Sequence, residues 1–197
     1  MKNLYYPLVA LFGILFTFSF QEANCQSGDL ISREFGLRMN GLADFDFIYK
    51  KKIGQDKFRR YRIGFTNFHF SSTGSNRSYD LAFGIAAGNE KRRGIAEKLS
   101  FINGFEIIAS ATFTRQEASS EHINQFAFSP GAGLVLGFQY DISEKFYINI
   151  ETIPTVNANL TFRENPSRDS YGISGDFNSN AIALSLVYMF QSPPKHK

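Results

Sequence analysis

A period-two alternation of apolar and polar side chains constrains this chain more than any other feature of its sequence. In its clearest segment, one face carries Phe146, Ile148, Ile150, Thr152, Pro154, Val156, Ala158, Leu160 and Phe162. The other face carries Asn149, Glu151, Thr155, Asn157, Asn159 and Thr161. Successive side chains of a strand point to opposite sides of its sheet. The segment 146–162 therefore predicts a β-strand with one apolar and one polar face.

The same alternation recurs along the chain and predicts eight strands, at about 33–40, 44–53, 58–70, 78–87, 98–114, 126–140, 146–162 and 181–190. The third segment changes parity before Phe68 and Phe70, which predicts a β-bulge near Thr66 or Asn67. Residues 88–97, which include Lys91-Arg92-Arg93, are predicted to form a solvated link. No helical spacing holds for more than a turn or two.

Alternation of this kind fits either a soluble barrel with an apolar interior or a membrane barrel with an apolar exterior. The polar faces of the sixth and seventh segments hold Gly, Ser, Asn, Thr and Glu, which suit the narrow bore of a small barrel. Aromatic residues at segment ends resemble interfacial girdles, as at Phe126, Tyr140, Phe146, Phe162, Tyr188 and Phe190. We therefore predict an all-β, closed antiparallel up-and-down transmembrane β-barrel of eight strands. A soluble periplasmic ligand-binding barrel is the alternative.

The N-terminal segment has the order of a secretory signal peptide. Lys2 precedes an uncharged run from Leu8 to Phe20, and the small residues Ala23 and Cys25 follow. We predict a signal peptide over 1–25 and an outer-membrane barrel domain over 26–197; acylation of Cys25 is an alternative to its removal. A single cysteine excludes a disulfide framework and a cysteine-based metal site.

In strand pattern, length and its aromatic-ended last strand, Leu184 to Phe190, the chain resembles small eight-stranded outer-membrane barrels of the OmpA transmembrane-domain and OmpX type. The resemblance implies a monomer in the outer membrane of a Gram-negative cell, in contact with lipid, lipopolysaccharide and the barrel-assembly machinery. It implies a structural, adhesion or surface-binding role without catalysis. The predicted loops 71–77, 115–125 and 163–180 would carry extracellular ligands. Porin-like permeation through a narrow channel is an alternative.

Charged residues on the predicted inner face are candidates for a functional site: Glu34, Arg38, Asp46, Lys50, Arg62, Asp80, Glu106 and Glu151. Buried charges persist when they are paired and hydrogen-bonded, so these residues predict a lumenal ion-pair network. A narrow ion path or gate is the second interpretation. No cofactor or metal site is expected. The net charge of +3 is too small to indicate a nucleic-acid partner.

His69 and Ser71 lie two residues apart, so that in a strand they would share a face as a base and a nucleophile. Asp80 or Glu106 would supply the orienting acid. The pattern resembles barrel enzymes of the lipid A deacylase type, which makes a lipid-modifying hydrolase a minor alternative. The simpler interpretation is a pair of interfacial polar residues.

Overall fold

The computed structural model describes residues 31–40, 45–73, 76–118, 121–164, 168–176 and 182–192. The predicted signal peptide lies outside the described residues. The strands are β1 (Ile31–Met39), β2 (Phe45–Lys52), β3 (Lys57–Thr73), β4 (Asn76–Ala96), β5 (Leu99–Ala118), β6 (Glu121–Asp141), β7 (Phe146–Thr152), β8 (Thr155–Glu164), β9 (Arg168–Asp176) and β10 (Ile182–Ser192). Within these ranges, no helix has the length and apolar character needed to cross a membrane.

Eight of the strands close into a ring in the order β1-β2-β3-β4-β5-β6-β7-β10, and β10 pairs with β1. Each neighbouring pair is antiparallel, which confirms the predicted closed barrel. Ile31 lies opposite Ser192, so the first and last described strand ends meet at one end of the barrel, here called the lower end. The described lower turns, 53–56, 97–98 and 142–145, are short.

The strand register fixes the tilt of the barrel wall. From Phe138 on β6, successive register partners run through Ile150, Leu184, Met39, Phe45, Phe65, Phe83 and Ala111 and return to β6 at Phe128. The path closes ten residues further up the same strand, from 138 to 128. An eight-stranded barrel with this offset has a strand tilt of about 40°. Each residue then climbs about 2.5 Å along the axis, and each step to the next strand about 3 Å.

Above the ring, six strands continue as an open sheet, here called the extension. The lower part of β6 pairs with β7 and its upper part with β8, which in turn pairs with β9. The prediction of a single strand over 146–162 is wrong in one respect. The segment forms two strands, β7 and β8, which are separated at Ile153-Pro154 because proline has no N–H to donate to the ladder. The carbonyl of Pro154 still accepts from Leu134 N at 3.0 Å.

The strands of the extension replace most of the predicted loops. β3 runs to Thr73 and β4 begins at Asn76, so most of 71–77 is strand; β5 and β6 likewise take up most of 115–125. β9 lies within the predicted loop 163–180. The link predicted at 88–97 is also wrong, because β4 continues to Ala96. The predicted bulge is confirmed by a register shift between Phe65 and Asn67.

The barrel has an apolar outside and a charged inside. Large apolar side chains are open on the outer wall, with Leu134 59%, Ile107 53% and Ile150 52% exposed. Inside, Lys50 and Arg60 are each 0% exposed. Water-soluble proteins have the opposite distribution, whereas membrane barrels face lipid with their apolar side. The alternative of a soluble barrel with an apolar interior is therefore wrong.

Candidate functional site

Ten charged side chains meet inside the ring, because alternate residues of each strand point into the bore. This set, the charge cluster, consists of Glu34, Arg38, Asp46, Lys50, Arg60, Arg62, Glu90, Arg92, Glu106 and Glu151. Its most exposed side chains, Arg62 and Arg92, reach only 12% and 10%. Five cations face five carboxylates, so the formal charge of the cluster is zero.

Arg60 lies at the centre of the charge cluster. Its Nη2 and Nη1 donate to the two carboxylate oxygens of Glu151, at 2.9 and 3.0 Å. Nη1 also donates to Glu90 Oε2 at 3.2 Å, and Nε lies 3.2 Å from Glu106 Oε2. One guanidinium on β3 thus binds carboxylates from β4, β5 and β7, and the planar fork of arginine suits such paired contacts.

Arg38 and Arg62 connect β1 and β2 to the centre. Arg38 Nε donates to Glu151 Oε1 at 2.6 Å, and its Nη1 donates to Asp46 Oδ2 at 3.0 Å. Arg62 donates to both Asp46 and Glu106. Because Glu106 also contacts Arg60, these ion pairs form a closed circuit across the bore.

Towards the lower end, the cluster continues through Glu90 and Arg92. Lys50 Nζ lies 3.0 Å from Glu90, and Arg92 Nε donates to Glu90 Oε1 at 2.9 Å. Arg92 Nη1 donates to Glu34 Oε1 at 2.9 Å, and the Tyr147 hydroxyl donates to Glu34 Oε2 at 2.7 Å. A network of charges therefore reaches from β1 to β7 without a break.

Apolar side chains pack around the charges within the bore. The Arg92 guanidinium lies 3.7 Å from the centre of the Phe58 ring, a cation–π contact. Two buried apolar groups complete the filling: Ile48, Tyr147 and Val187, and Ile102, Val135 and Ile153. Water exclusion strengthens each ion pair but makes any unpaired charge costly. The ion pairs and the apolar packing around them hold opposite walls of the barrel together.

The structure brings seven of the eight candidate inner charges into the cluster: Glu34, Arg38, Asp46, Lys50, Arg62, Glu106 and Glu151. Asp80 lies elsewhere. It shares the inner parity of Glu90 but lies ten residues higher on β4, about 25 Å along the barrel axis. In the described part of the chain it forms none of the salt bridges. Sequence parity indicates the face of a residue but not its height.

Three members of the cluster were missed: Arg60, Glu90 and Arg92. Arg60 has the parity of Arg62, but it follows Arg59 directly, and two adjacent arginines obscure the alternation. Glu90 and Arg92 fall in the segment expected to be a solvated link, an expectation that is wrong for both, because Glu90 is buried and Arg92 is paired inside the bore with Glu34 and Glu90. One signal could have placed Glu90 and Arg92 correctly: Ala86, Gly88 and Glu90 continue the even-numbered, inward-facing series of β4.

His69 and Ser71 lie on the upper part of β3, where their register partners on β4 are Asp80 and Ser78. The side chain of His69 lies outside the described residues. Glu106, the other proposed orienting acid, is instead bound to Arg60 and Arg62 in the ring. Among the described residues, no group of three or more histidine, cysteine or acidic side chains is arranged to hold a metal ion.

No family model matches the chain, and no curated protein matches its sequence. Among solved structures, it is similar to a major outer membrane protein from Thermus thermophilus, with a TM-score of 0.54 and 10% identity over 81% of this chain and 99% of that one. The chain has the fold of a small outer-membrane β-barrel. Its apolar outer wall and charged interior are those of a β-barrel that spans a membrane.

Two further outer-membrane barrels match over similar lengths. Neisserial surface protein A has a TM-score of 0.38 at 10% identity, over 81% of this chain and 92% of that one. Ail, the attachment invasion locus protein of Yersinia pestis, has a TM-score of 0.38 at 14% identity, over 82% of this chain and 97% of that one.

Proposed function

We propose that this outer-membrane barrel is a non-enzymatic surface protein, in which a closed barrel anchors an extracellular sheet that binds partners. The charge cluster is the observation that carries this proposal. Its ten side chains are almost wholly buried and paired across the bore. A permeant ion would have to displace these pairs at a cost of several kcal/mol each. The bore is therefore unsuited to steady permeation, and the function is assigned to the outer end.

The extension supplies the surface for binding. β4, β5 and β6 are 21, 20 and 21 residues long, roughly twice the 9–11 residues that a tilted strand needs to cross the bilayer. Near the upper end, Tyr171 on β9 is 90% exposed and Ile173 is 83% exposed. Exposed apolar side chains at the outer end of a barrel favour contact with a partner or with lipopolysaccharide.

Two measurements test the two halves of this proposal. In planar bilayers, the purified full-length protein is expected to give no steady conductance; a stable channel would contradict the closed bore. In whole cells, expression of the chain is expected to increase adherence to wells coated with heparin. Tyr171→Ser/Ile173→Ser should reduce that adherence, while Leu134→Ser on the lipid-facing wall should leave it unchanged. No adherence above a strain with empty vector would contradict the surface-binding role.

Export and assembly complete the proposal. The protein would lose residues 1–25, insert through the barrel-assembly machinery and remain a monomer among lipopolysaccharide and phospholipid. The mass of the protein isolated from outer membranes tests the first step, because cleavage after Cys25 and acylation of Cys25 give different masses. Chemical cross-linking in those membranes tests the monomer, and a specific dimer would contradict it.

A further inference from the structure

The outer wall at the lower end of the barrel has two different halves. On β5, β6, β7 and β10, the outward side chains at this level are mostly aromatic: Phe101, Phe138, Tyr140, Phe146, Tyr188 and Phe190. Phe101 and Phe138 meet at 5.5 Å between ring centres, and Phe146 and Tyr188 at 5.0 Å. This half has the aromatic girdle expected at a membrane interface.

The other half, on β1 to β4, is cationic. Its outward side chains, here called the basic rim, are Arg33, Lys51, Lys57, Arg59, Lys91 and Arg93. Each alternates with an inward neighbour that is buried or nearly so, such as Glu34 beside Arg33 and Lys50 beside Lys51. The outward positions of these four strands in the ring carry no acidic residue within the described ranges.

The register places both halves at one level of the wall. Phe146, Tyr188, Phe35, Tyr49 and Tyr61 are successive partners around the ring. Arg33, Lys51 and Arg59 follow two residues below Phe35, Tyr49 and Tyr61. Each step from one strand to the next raises the height along the barrel axis by about 3 Å, and two residues down a strand lower it by about 5 Å. The cations of the basic rim therefore lie within about 7 Å of the height of Phe146.

The six cations of the basic rim have no salt-bridge partner within the described part of the protein. Its cations lie directly opposite one another on neighbouring strands, as Arg33 opposite Lys51, Lys51 opposite Arg59, and Lys57 opposite Lys91. Like charges in this position destabilise a sheet. None of the six forms a salt bridge in the described ranges, and Arg33 Nε is buried without a hydrogen-bond partner. An external anion would relieve this repulsion.

We propose that the basic rim binds the phosphate groups of anionic phospholipids in the periplasmic leaflet of the outer membrane. The lower end is the periplasmic one, because it holds the short turns and both described chain ends. The cations point outward beneath the stacked rings of Tyr49 and Tyr61, whose centres lie 6.2 Å apart, and so lie at the depth of lipid headgroups. Their position on the lipid-facing wall favours a lipid over a soluble or cell-wall anion.

Spin-labelled lipids test this proposal with the intact protein. The full chain is refolded into phosphatidylcholine vesicles that contain traces of labelled phosphatidylglycerol or labelled phosphatidylcholine, and the motionally restricted fraction of each label is measured. We expect phosphatidylglycerol to associate at least about 5-fold more strongly, the equivalent of one Lys or Arg near an anionic headgroup. High salt should reduce the preference. Equal association of the two lipids would overturn the proposal.

Paired variants separate the basic rim from charge in general. Lys51→Gln/Arg59→Gln, which removes two of the six rim cations, should reduce the preference, whereas Arg77→Gln/Arg115→Gln, which removes the same charge at the upper end, should leave it unchanged. Equal losses in both variants would count against the basic rim. Heat-modifiable gel migration shows whether each variant folds. Lys91→Gln, at an exposed position of the basic rim, is a milder change for use if the double variant does not fold. Loss of peptidoglycan co-sedimentation with an unchanged lipid preference would assign the rim to the cell wall instead and overturn the proposal.

Discussion

Arg60 and Glu151 form a bidentate ion pair across the bore, with N···O distances of 2.9 and 3.0 Å. They lie on β3 and β7, which are diametrically opposite in the ring of eight strands. A single pair therefore joins two walls whose residues are 91 positions apart in the chain. Contacts of this kind stabilise the closed ring rather than any two neighbouring strands.

Removal of the Arg60 guanidinium should strongly destabilise the barrel. Arg60→Met keeps much of the side-chain length but leaves Glu90, Glu106 and Glu151 without their central cation. Breaking one partner of a buried ion pair costs about 3–5 kcal/mol. Urea unfolding in vesicles, followed by heat-modifiable gel migration, should show a loss of that size in the free energy of unfolding.

A double-mutant cycle identifies the origin of the loss. Glu151→Gln combined with Arg60→Met should cost less than the sum of the two single changes, because neither partner is then left as an unpaired charge. Arg77→Met, at an exposed position of the extension, is the control and should change the unfolding free energy by less than about 0.5 kcal/mol. Additive effects of the two buried changes would argue against direct coupling.

The inverted distribution of side chains predicts a dependence on depth in the membrane. Leu134 is 59% exposed in the middle of the outer wall, and Tyr140 is 52% exposed on the same strand near the lower interface. Leu134→Arg should cost about 2–4 kcal/mol of folding free energy, whereas Tyr140→Arg should cost about 0–1 kcal/mol. Unfolding in vesicles measures both; equal costs would show that this face does not contact hydrocarbon.

The ring could be predicted from sequence because lipid on one side and a narrow bore on the other impose a strict alternation on every strand. The parity change before Phe68 even located the bulge at Phe65 and Asn67. The extension could not be predicted in the same way. Its strand β9 carries Gly172 and Gly175 among polar residues, a composition typical of loops.

The charge cluster shows the same division. Parity correctly indicated the inward face of Arg62 and Glu106, because neighbouring apolar residues define the outward face. It could not indicate which inward charges share a level, since that depends on the ten-residue offset of the closed register. Asp80 and Glu90 lie on the same face of β4, yet only Glu90 reaches Arg60.

The proposed non-enzymatic role predicts unchanged lipid A. The deletion strain and a strain that carries His69→Ala/Ser71→Ala should both give lipid A mass spectra identical to those of the wild type. Of the two proposed orienting acids, Glu106 is held by Arg60 and Arg62. Asp80, the register partner of His69, is the acid whose role this comparison tests. A shift by the mass of one acyl chain in the deletion strain would contradict this prediction and restore the hydrolase alternative.

Close approach of β4 and β5 predicts that Gly104 tolerates no larger side chain. A Cβ added at Gly104 would lie 2.1 Å from the backbone oxygen of Asn89 and 2.8 Å from Glu90 Cα, both of which are main-chain atoms that cannot rotate away. Gly104→Ala should therefore displace β4 and cost about 1–3 kcal/mol of folding free energy. Gly94→Ala is the matched control, because a methyl group added there would meet nothing within 4 Å. Urea unfolding in vesicles compares the two; a Gly104→Ala protein as stable as the control would show that the two strands are further apart than this packing requires.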